Sequence, residues 1–192
     1  MNPSDRTGAA LRNSILVLTG VAGNLACSEF FVGQCHLPLY MDSIMTVFVT
    51  LYGGLLPGIA TGILYNAAYV LFMRTPALQL LFGLCSVATA LTVGLSRMSR
   101  RKGTILFDLV GLALAVTLVN SLIGGIVSSI LFGGIDSFPT DLLIAGLVMQ
   151  QVPVLAATVM SRIPVNMIDK SIAIFAGYGL YLAASRFFPK DR

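Results

Sequence analysis

Two polar side chains, Asp42 and Asn66, stand at the two ends of a strongly apolar stretch that covers residues 37–66. Glycine and proline interrupt this stretch at residues 53–58, which predicts a hairpin of two short apolar segments. A carboxylate accepts hydrogen bonds through two oxygens, and an amide both accepts and donates them. If the hairpin brings Asp42 and Asn66 together, the pair is suited to binding a small polar ligand.

Four further polar side chains inside or beside apolar sequence join these two as candidates. Tyr65 and Tyr69 are four residues apart and share a helix face, which suits either ring stacking on a flat ligand or an aromatic belt at the membrane interface. A buried amide at Asn120 or Gln150 bonds either a neighbouring helix or a ligand. The predicted ligand-binding residues are Tyr40, Asp42, Asn66, Tyr69, Asn120 and Gln150, in the outer half of the protein, with the loop 34–39 as a lid.

A third polar group lies near the end of the chain. Asn166 precedes Asp169 by three residues and Lys170 by four, so a helix presents all three on adjoining faces. Asp169 and Lys170 either neutralise each other or take separate partners. This pattern favours a structural lock.

The elements that must position these residues are membrane helices. Hydrophobic residues make up 56% of the chain and charged residues only 10%, and the mean hydropathy is +0.88. A lipid-exposed backbone must satisfy its own hydrogen bonds, and no segment alternates as a membrane β-strand does. The predicted fold is an all-α integral membrane protein, one transmembrane domain over residues 1–192, with a compact bundle of six transmembrane helices or, alternatively, seven. Apolar blocks at 139–161 and 164–186 predict the last two segments.

The basic residues set the expected orientation. The cluster at 97–102 marks a cytoplasmic loop, and Arg6 and Arg12 place the N-terminus on the same side. Six spans also place the basic residues at 186–192 inside, whereas seven place them outside, so six are favoured. The prediction is a multi-pass protein of the cell membrane with a cytoplasmic N-terminus. Nucleic-acid binding is not expected, because the basic residues lie at membrane edges without interleaved aromatic residues.

Catalytic and metal-binding motifs are not found in the sequence. The single histidine, His36, and the three cysteines have no metal-ligand spacing, and no nucleophile, phosphate-loop or dinucleotide motif occurs. The chain is therefore predicted not to be an enzyme, and no cofactor or metal is predicted.

Three motifs resemble a known family. LPxxxDSI at 37–44 and YGGLLPGxxxGxxxN at 52–66 look like the second and third helices of the substrate-binding S components of energy-coupling factor (ECF) transporters. PVNMIDK at 164–170 is similar to a final-helix pattern in uncharacterised members and in related membrane sensor modules. These motifs lie within residues 37–66 and 164–170.

The resemblance implies a six-helix subunit that binds a vitamin or similar small molecule from outside. Its implied partners are a transmembrane coupling subunit and two cytoplasmic ATPases. The family docks through small residues spaced AxxxA in the first helix, which Ala22 and Ala26 match here. The alternative is a small-molecule sensor that signals to a separate kinase or cyclase. The identity of the ligand does not follow from the resemblance.

Overall fold

The structure, a computed structural model, describes residues 3–37, 39–98, 105–135 and 138–187, and within these ranges every regular element is a helix and none is a strand. The prediction of an all-helical fold is confirmed for these residues. The seven α-helices are α1 (Pro3–Ser28), α2 (Ile44–Gly53), α3 (Leu55–Met73), α4 (Gly83–Met98), α5 (Ile105–Phe132), α6 (Phe138–Met149) and α7 (Val154–Phe187). A π-helical segment at Glu29–Gln34 extends α1, and a 3₁₀ segment at Ala77–Phe82 leads into α4.

Four helical stretches are long and apolar enough to cross a membrane: Gly8–Gln34, Leu55–Met73, Ala77–Ser96 and Ile105–Phe132. Large apolar side chains remain exposed along them; Phe107 and Ile130, near the two ends of α5, are 78% and 74% exposed. An exposed apolar surface of this length is stable in lipid, where tails rather than water contact it. These findings support a membrane protein.

The predicted hairpin is present, and Gly54 makes its turn. Gly54 joins α2 to α3 with φ of 105°, a conformation that glycine adopts at little cost. Four residues later, a Cβ at Gly58 would collide with Thr50, so glycine at this position lets α3 pack closely against α2. The end of the bundle with this turn is called the hinge end, and the opposite end, near Asp42 and Asn66, is called the cavity end.

Buried polar contacts show how the other helices run. Asn24 of α1 donates to Thr46 Oγ1 of α2 at 2.9 Å and accepts from the Met45 backbone N–H at 2.9 Å. Thr158 and Asn166 of α7 bond the Gly125 carbonyl and the Ser121 hydroxyl of α5 at 3.1 and 3.0 Å. In this second pair residue numbers rise on one helix as they fall on the other, so α5 and α7 are antiparallel.

The last two segments differ from their predicted boundaries. The chain breaks at 150–153 and not at 161–164, and α7 continues through Pro164 as one helix of 34 residues. Gln151 adopts a left-handed φ of 65°, and Pro153 directly precedes α7, where its missing N–H removes no helical hydrogen bond. Membrane helices tolerate an internal proline because neighbouring groups satisfy the freed backbone. The preceding α6, with 12 residues, is only about 18 Å long.

Candidate functional site

A cavity of about 280 Å³ lies inside the bundle at its cavity end. Side chains from α1, the segment before α2, and α3, α4, α5 and α7 line it. Its location follows from the hairpin, because Asp42 and Asn66 lie at the end opposite the Gly54 turn and both line the cavity. The cavity is therefore surrounded by helices from both halves of the chain.

Five of the six predicted ligand-binding residues line this cavity. Tyr40 and Asp42 come from the segment before α2, and Asn66, Tyr69 and Asn120 from α3 and α5. The sixth residue, Gln150, is exposed at the turn after α6 and is not among the cavity residues. The apolar block at 139–161 predicts that Gln150 lies within a membrane helix, whereas α6 ends at Met149 and Gln150 begins the turn that follows. In the proposed lid, Leu39 lines the cavity, while Pro38 lies outside the described residues.

The side chain of Lys170 is the centre of a buried ionic cluster at one part of the cavity wall. Lys170 is 3% exposed, and its Nζ lies 2.8 Å from Asp42 Oδ1 and 2.7 Å from Asp169 Oδ2. It also donates to Ser43 Oγ at 2.9 Å. Lys170 therefore donates hydrogen bonds to Asp42 and Ser43 and forms an ion pair with Asp169. We call Asp42, Ser43, Asp169 and Lys170 the lysine cluster.

The lysine cluster fixes the segment before α2 onto α7. The Met41 backbone N–H donates to Asp169 Oδ1 at 2.6 Å, and Asp42 bonds Lys170 one residue later. Met41 and Ser43 are buried, and the Ser43 carbonyl accepts the first backbone hydrogen bond of α2, from the Val47 N–H at 2.9 Å. Asp169 and Lys170 thus contact each other and each also contacts the segment before α2. These contacts fix that segment to α7, which is the structural role that their spacing predicts.

Asp42 carries its charge at the cavity surface. The Lys170 ammonium lies 2.8 Å from Asp42 Oδ1 and, together with the Ser43 hydroxyl, stabilises the ionised form of this carboxylate. Both hydrogen bonds reach Oδ1, and the side chain is still 25% exposed. The ionised carboxylate therefore faces the cavity while it belongs to the cluster.

A second buried cation, Arg162, also lines the cavity, and the sequence analysis did not select it. Arg162 is 3% exposed; it donates from Nη1 to the Tyr40 hydroxyl at 3.0 Å, and its Cζ lies 5.5 Å from the centre of the Phe82 ring. Arg162, Asn166 and Lys170 are spaced by four residues, so they form one stripe on the cavity face of α7. This spacing is visible in the sequence, but a predicted break at 161–164 placed Arg162 at a membrane edge.

The two amides that line the cavity already use their donors within the protein. Asn66 Nδ2 donates to the Gly62 carbonyl and to Ser86 Oγ of α4, each at 2.8 Å. Asn120 Nδ2 donates to the Val116 carbonyl at 3.0 Å and to Thr89 Oγ1 of α4 at 2.9 Å. Both amides therefore connect helices, and what each adds to the cavity is a carbonyl oxygen, which is an acceptor.

Aromatic rings make up much of the remaining wall. The rings of Tyr65 and Tyr69 lie 6.0 Å apart at an angle of 47°, and both line the cavity. Phe82, below Arg162, also stacks on Phe132 at 6.0 Å with nearly parallel planes. The cavity thus combines aromatic surface with a few polar groups, the composition typical of small-molecule sites.

The other predicted features have simple placements. Ala22 and Ala26, the predicted docking residues, are exposed on the outer surface of α1. In the part of the chain that the structure describes, no three histidine, cysteine or acidic side chains are grouped so as to hold a metal ion.

No family model, curated protein or solved structure matches this chain. Its function is therefore argued from the cavity and the charges around it.

Proposed function

We propose that this protein is the substrate-binding subunit of an ECF-type importer, which captures a vitamin-like small molecule from outside the cell. The cavity carries the proposal, because its 280 Å³ lies just below the range of about 300–1,000 Å³ that is usual for small-molecule sites. Two buried cations and a carboxylate line it. A purely structural membrane protein gains little from such groups, since each charge is expensive to keep away from water.

The direction of the helices supports six membrane crossings. In this proposal α1, α3 and α5 cross one way and α2, α4 and α7 cross the other way, while α6 is too short to span a hydrocarbon layer of about 30 Å. The first residues of α1, the last residues of α7 and α4, and the first residues of α5 then lie at the hinge end, and most of the basic residues of the sequence precede or follow these helix ends. The positive-inside rule makes this side cytoplasmic, so the cavity end faces outward.

The short helix α2 is compatible with a full crossing. Its ten residues span about 15 Å as helix, and the five residues 39–43 before it span up to about 16 Å when extended. A non-helical backbone inside a membrane is tolerated where protein buries it or where it lines a cavity. Both conditions hold, since Met41 and Ser43 are buried and Tyr40 and Asp42 line the cavity.

The decisive experiment asks whether the cavity holds a molecule from the cell. The protein is purified in detergent, and the small molecules it retains are identified by mass spectrometry, in parallel with a variant whose cavity is filled. Gly124 lines the cavity, and a Cβ there makes only ordinary contacts, the nearest at 3.5 Å to Arg162 Nη1, so Gly124→Leu extends a side chain into the cavity space. Gly111→Leu, exposed on the same helix with nothing within 4 Å, is the matched control.

We expect one molecule to be enriched in the wild type and in Gly111→Leu and to be absent from Gly124→Leu. A wild type that retains nothing, or a Gly124→Leu protein that retains the same molecule, contradicts the proposal. Co-purification from cells that co-express candidate coupling and ATPase subunits then separates transport from sensing. Ala22→Leu with Ala26→Leu should reduce recovery of the coupling subunit without changing ligand retention, because both residues lie on the outer surface of α1.

A further inference from the structure

The cavity has an inner part and an outer part, which follow from the direction of α7. Lys170 contacts Asp42, and Gly177, further along α7, lies against Val47 of α2. The helix α7 therefore runs in the same direction as α2, from the cavity end toward the hinge end. Arg162 precedes Lys170 by eight residues, or about 12 Å of helix rise. Lys170 thus lies in the inner part of the cavity, and Arg162 lies in the outer part.

Amide oxygens that lack a donor are a property of the cavity wall. Nδ2 of Asn166 donates to Ser121 Oγ at 3.0 Å, and Asn66 and Asn120 also use Nδ2 within the protein. No described residue donates to the Oδ1 atom of any of these three amides, and all three line the cavity. Asn120 and Asn166 are only 4% and 3% exposed. A molecule inside the cavity is therefore the available donor for their oxygens.

The lysine cluster adds negative charge to this wall. Asp42 and Asp169 both contact Lys170, so the cluster contains two carboxylates and one ammonium, with a formal net charge of −1. Asp42 bonds Lys170 and Ser43 through Oδ1, and its side chain is 25% exposed. This arrangement leaves Oδ2 of Asp42 for a group in the inner part of the cavity.

Building on the proposed function, we propose that the ligand is a compact organic amine, bound as its ammonium ion. The ammonium lies in the inner part of the cavity, where it donates to Asp42 Oδ2 and to the amide oxygens. An ammonium has three donors and no acceptor, so it matches a wall of acceptors. Its charge brings the formal charge of the lysine cluster to zero, and the contacts of Lys170 with both carboxylates stay intact.

The same wall disfavours an acidic group in the inner part. A carboxylate or phosphate has acceptors only, and it would lie against Asp42 and the amide oxygens, which are acceptors too. The rings of Tyr65 and Tyr69 also line the cavity, and the face of an aromatic ring attracts cations.

The rest of the ligand extends toward the outer part, where Phe82 lies beside Arg162. The volume of about 280 Å³ suits an amine with a single ring or a short chain.

The test uses probes that differ in one property at a time. In the ring set, benzyl alcohol lacks the charge of benzylamine, benzyltrimethylammonium keeps the charge but has no N–H donor, and benzoate reverses the charge. The chain set is butylamine, 1-butanol and butyrate. Binding to the detergent-purified full chain is measured by titration calorimetry. The same titration into empty micelles is subtracted, because apolar probes enter detergent.

We expect at least one amine to bind at least tenfold more tightly than the alcohol and the anion of its set. Benzylamine should also bind at least tenfold more tightly than benzyltrimethylammonium, because the latter forms no hydrogen bond with the acceptors.

Two variants test the residues. Asp42→Asn should weaken binding of the amine about 30-fold or more, since truncating one partner of a buried charge pair typically has an effect of this size. Asp108→Asn, the same replacement at an exposed position of α5, should leave the affinity unchanged. Asn120→Ala removes one amide oxygen and should weaken binding about tenfold. Size-exclusion chromatography shows whether each variant is folded, and if Asp42→Asn is not, Asn120→Ala decides.

Four results overturn the ammonium proposal. These are an alcohol or an anion that binds as tightly as its amine, benzyltrimethylammonium that binds as tightly as benzylamine, a folded Asp42→Asn or Asn120→Ala protein with unchanged affinity, and no binding by either amine. The molecule retained in the Gly124 experiment gives an independent decision. A retained molecule without an amine overturns the ammonium proposal and leaves the proposed binding function intact. If the wild type retains no molecule at all, it is the proposed function that fails.

Discussion

Lys170 and Arg162 are both cations, both 3% exposed, and both on the cavity face of α7, yet they have different surroundings. Lys170 contacts two carboxylates and a hydroxyl. Arg162 lies over an aromatic ring and donates to a phenol. One helix thus places two similar charges two turns apart in environments suited to different tasks.

The difference lies in which groups each cation contacts. A buried charge with a full set of oppositely charged partners is held firmly, and exchanging a partner for a ligand would first break an ion pair. Arg162 contacts a phenol and an aromatic ring at the cavity wall, where a bound molecule would meet it. In the proposed function the lysine cluster holds the fold and Arg162 contacts the ligand, and four substitutions test this proposal.

The largest effect is expected from Lys170→Met. It leaves the buried Asp169 and the partly exposed Asp42 without their cation, and breaking a buried pair in this way typically costs about 3–5 kcal/mol. The measurement is the free energy of unfolding in mixed micelles. The triple variant Lys170→Met, Asp42→Asn, Asp169→Asn removes all the charges of the cluster and should recover at least half of the loss. A single variant as stable as the wild type would show that the cluster does not hold the segment before α2.

A smaller loss is expected from Asp42→Asn. The amide keeps the shape but removes one of the two negative partners of Lys170, and hydrogen bonds to charged groups are worth about 1.5–3 kcal/mol. Asp108→Asn, at an exposed position in the first turn of α5, is the matched control. Its effect should stay below about 1 kcal/mol, the size of a helix-dipole interaction. Equal effects at the two positions would count against a special role for Asp42.

Arg162→Met applies the same replacement as Lys170→Met at the other cation. Loss of the contact with Phe82 and of the hydrogen bond to Tyr40 should lower the free energy of unfolding by about 2–3 kcal/mol, less than Lys170→Met does. Retention of the molecule identified by mass spectrometry should be lost. If Arg162→Met destabilises the protein as much as Lys170→Met does, the distinction between the two cations is wrong.

The smallest effect is expected from Gln150→Ala. Gln150 is exposed and outside the cavity, so both stability, within about 0.5 kcal/mol, and ligand retention should be unchanged. Asn120→Ala is the comparison, since it removes a buried hydrogen bond to Thr89 worth about 1 kcal/mol. If Gln150→Ala loses the ligand, Gln150 belongs to the binding site after all, and the turn at 150–153 must approach the cavity.

Local pattern was sufficient for the first half of the molecule. Glycine and proline at 53–58 predict a turn because few other residues adopt its backbone geometry, and the turn is at Gly54. Once that turn is placed, Asp42 and Asn66 must lie at the same end. The second half was harder, because Pro153 and Pro164 look alike in sequence. Pro153 precedes α7, whereas Pro164 lies within it. The packing of α7 on α5 determines which of the two prolines ends a helix, because neighbouring groups satisfy the backbone at an internal proline.

The sequence by itself determined the helical membrane character, the hairpin with its polar ends, and the pairing of Asp169 with Lys170 in one stretch of α7. These properties follow from composition, from backbone stereochemistry and from residues close together in the chain. Only the tertiary structure brought Asp42 to Lys170, 128 residues away, and Arg162 to Tyr40, 122 residues away. Contacts over such distances depend on how whole helices pack. The chain alone therefore showed which side chains are expensive to bury, and the fold decided which of them neutralise each other and which face the cavity.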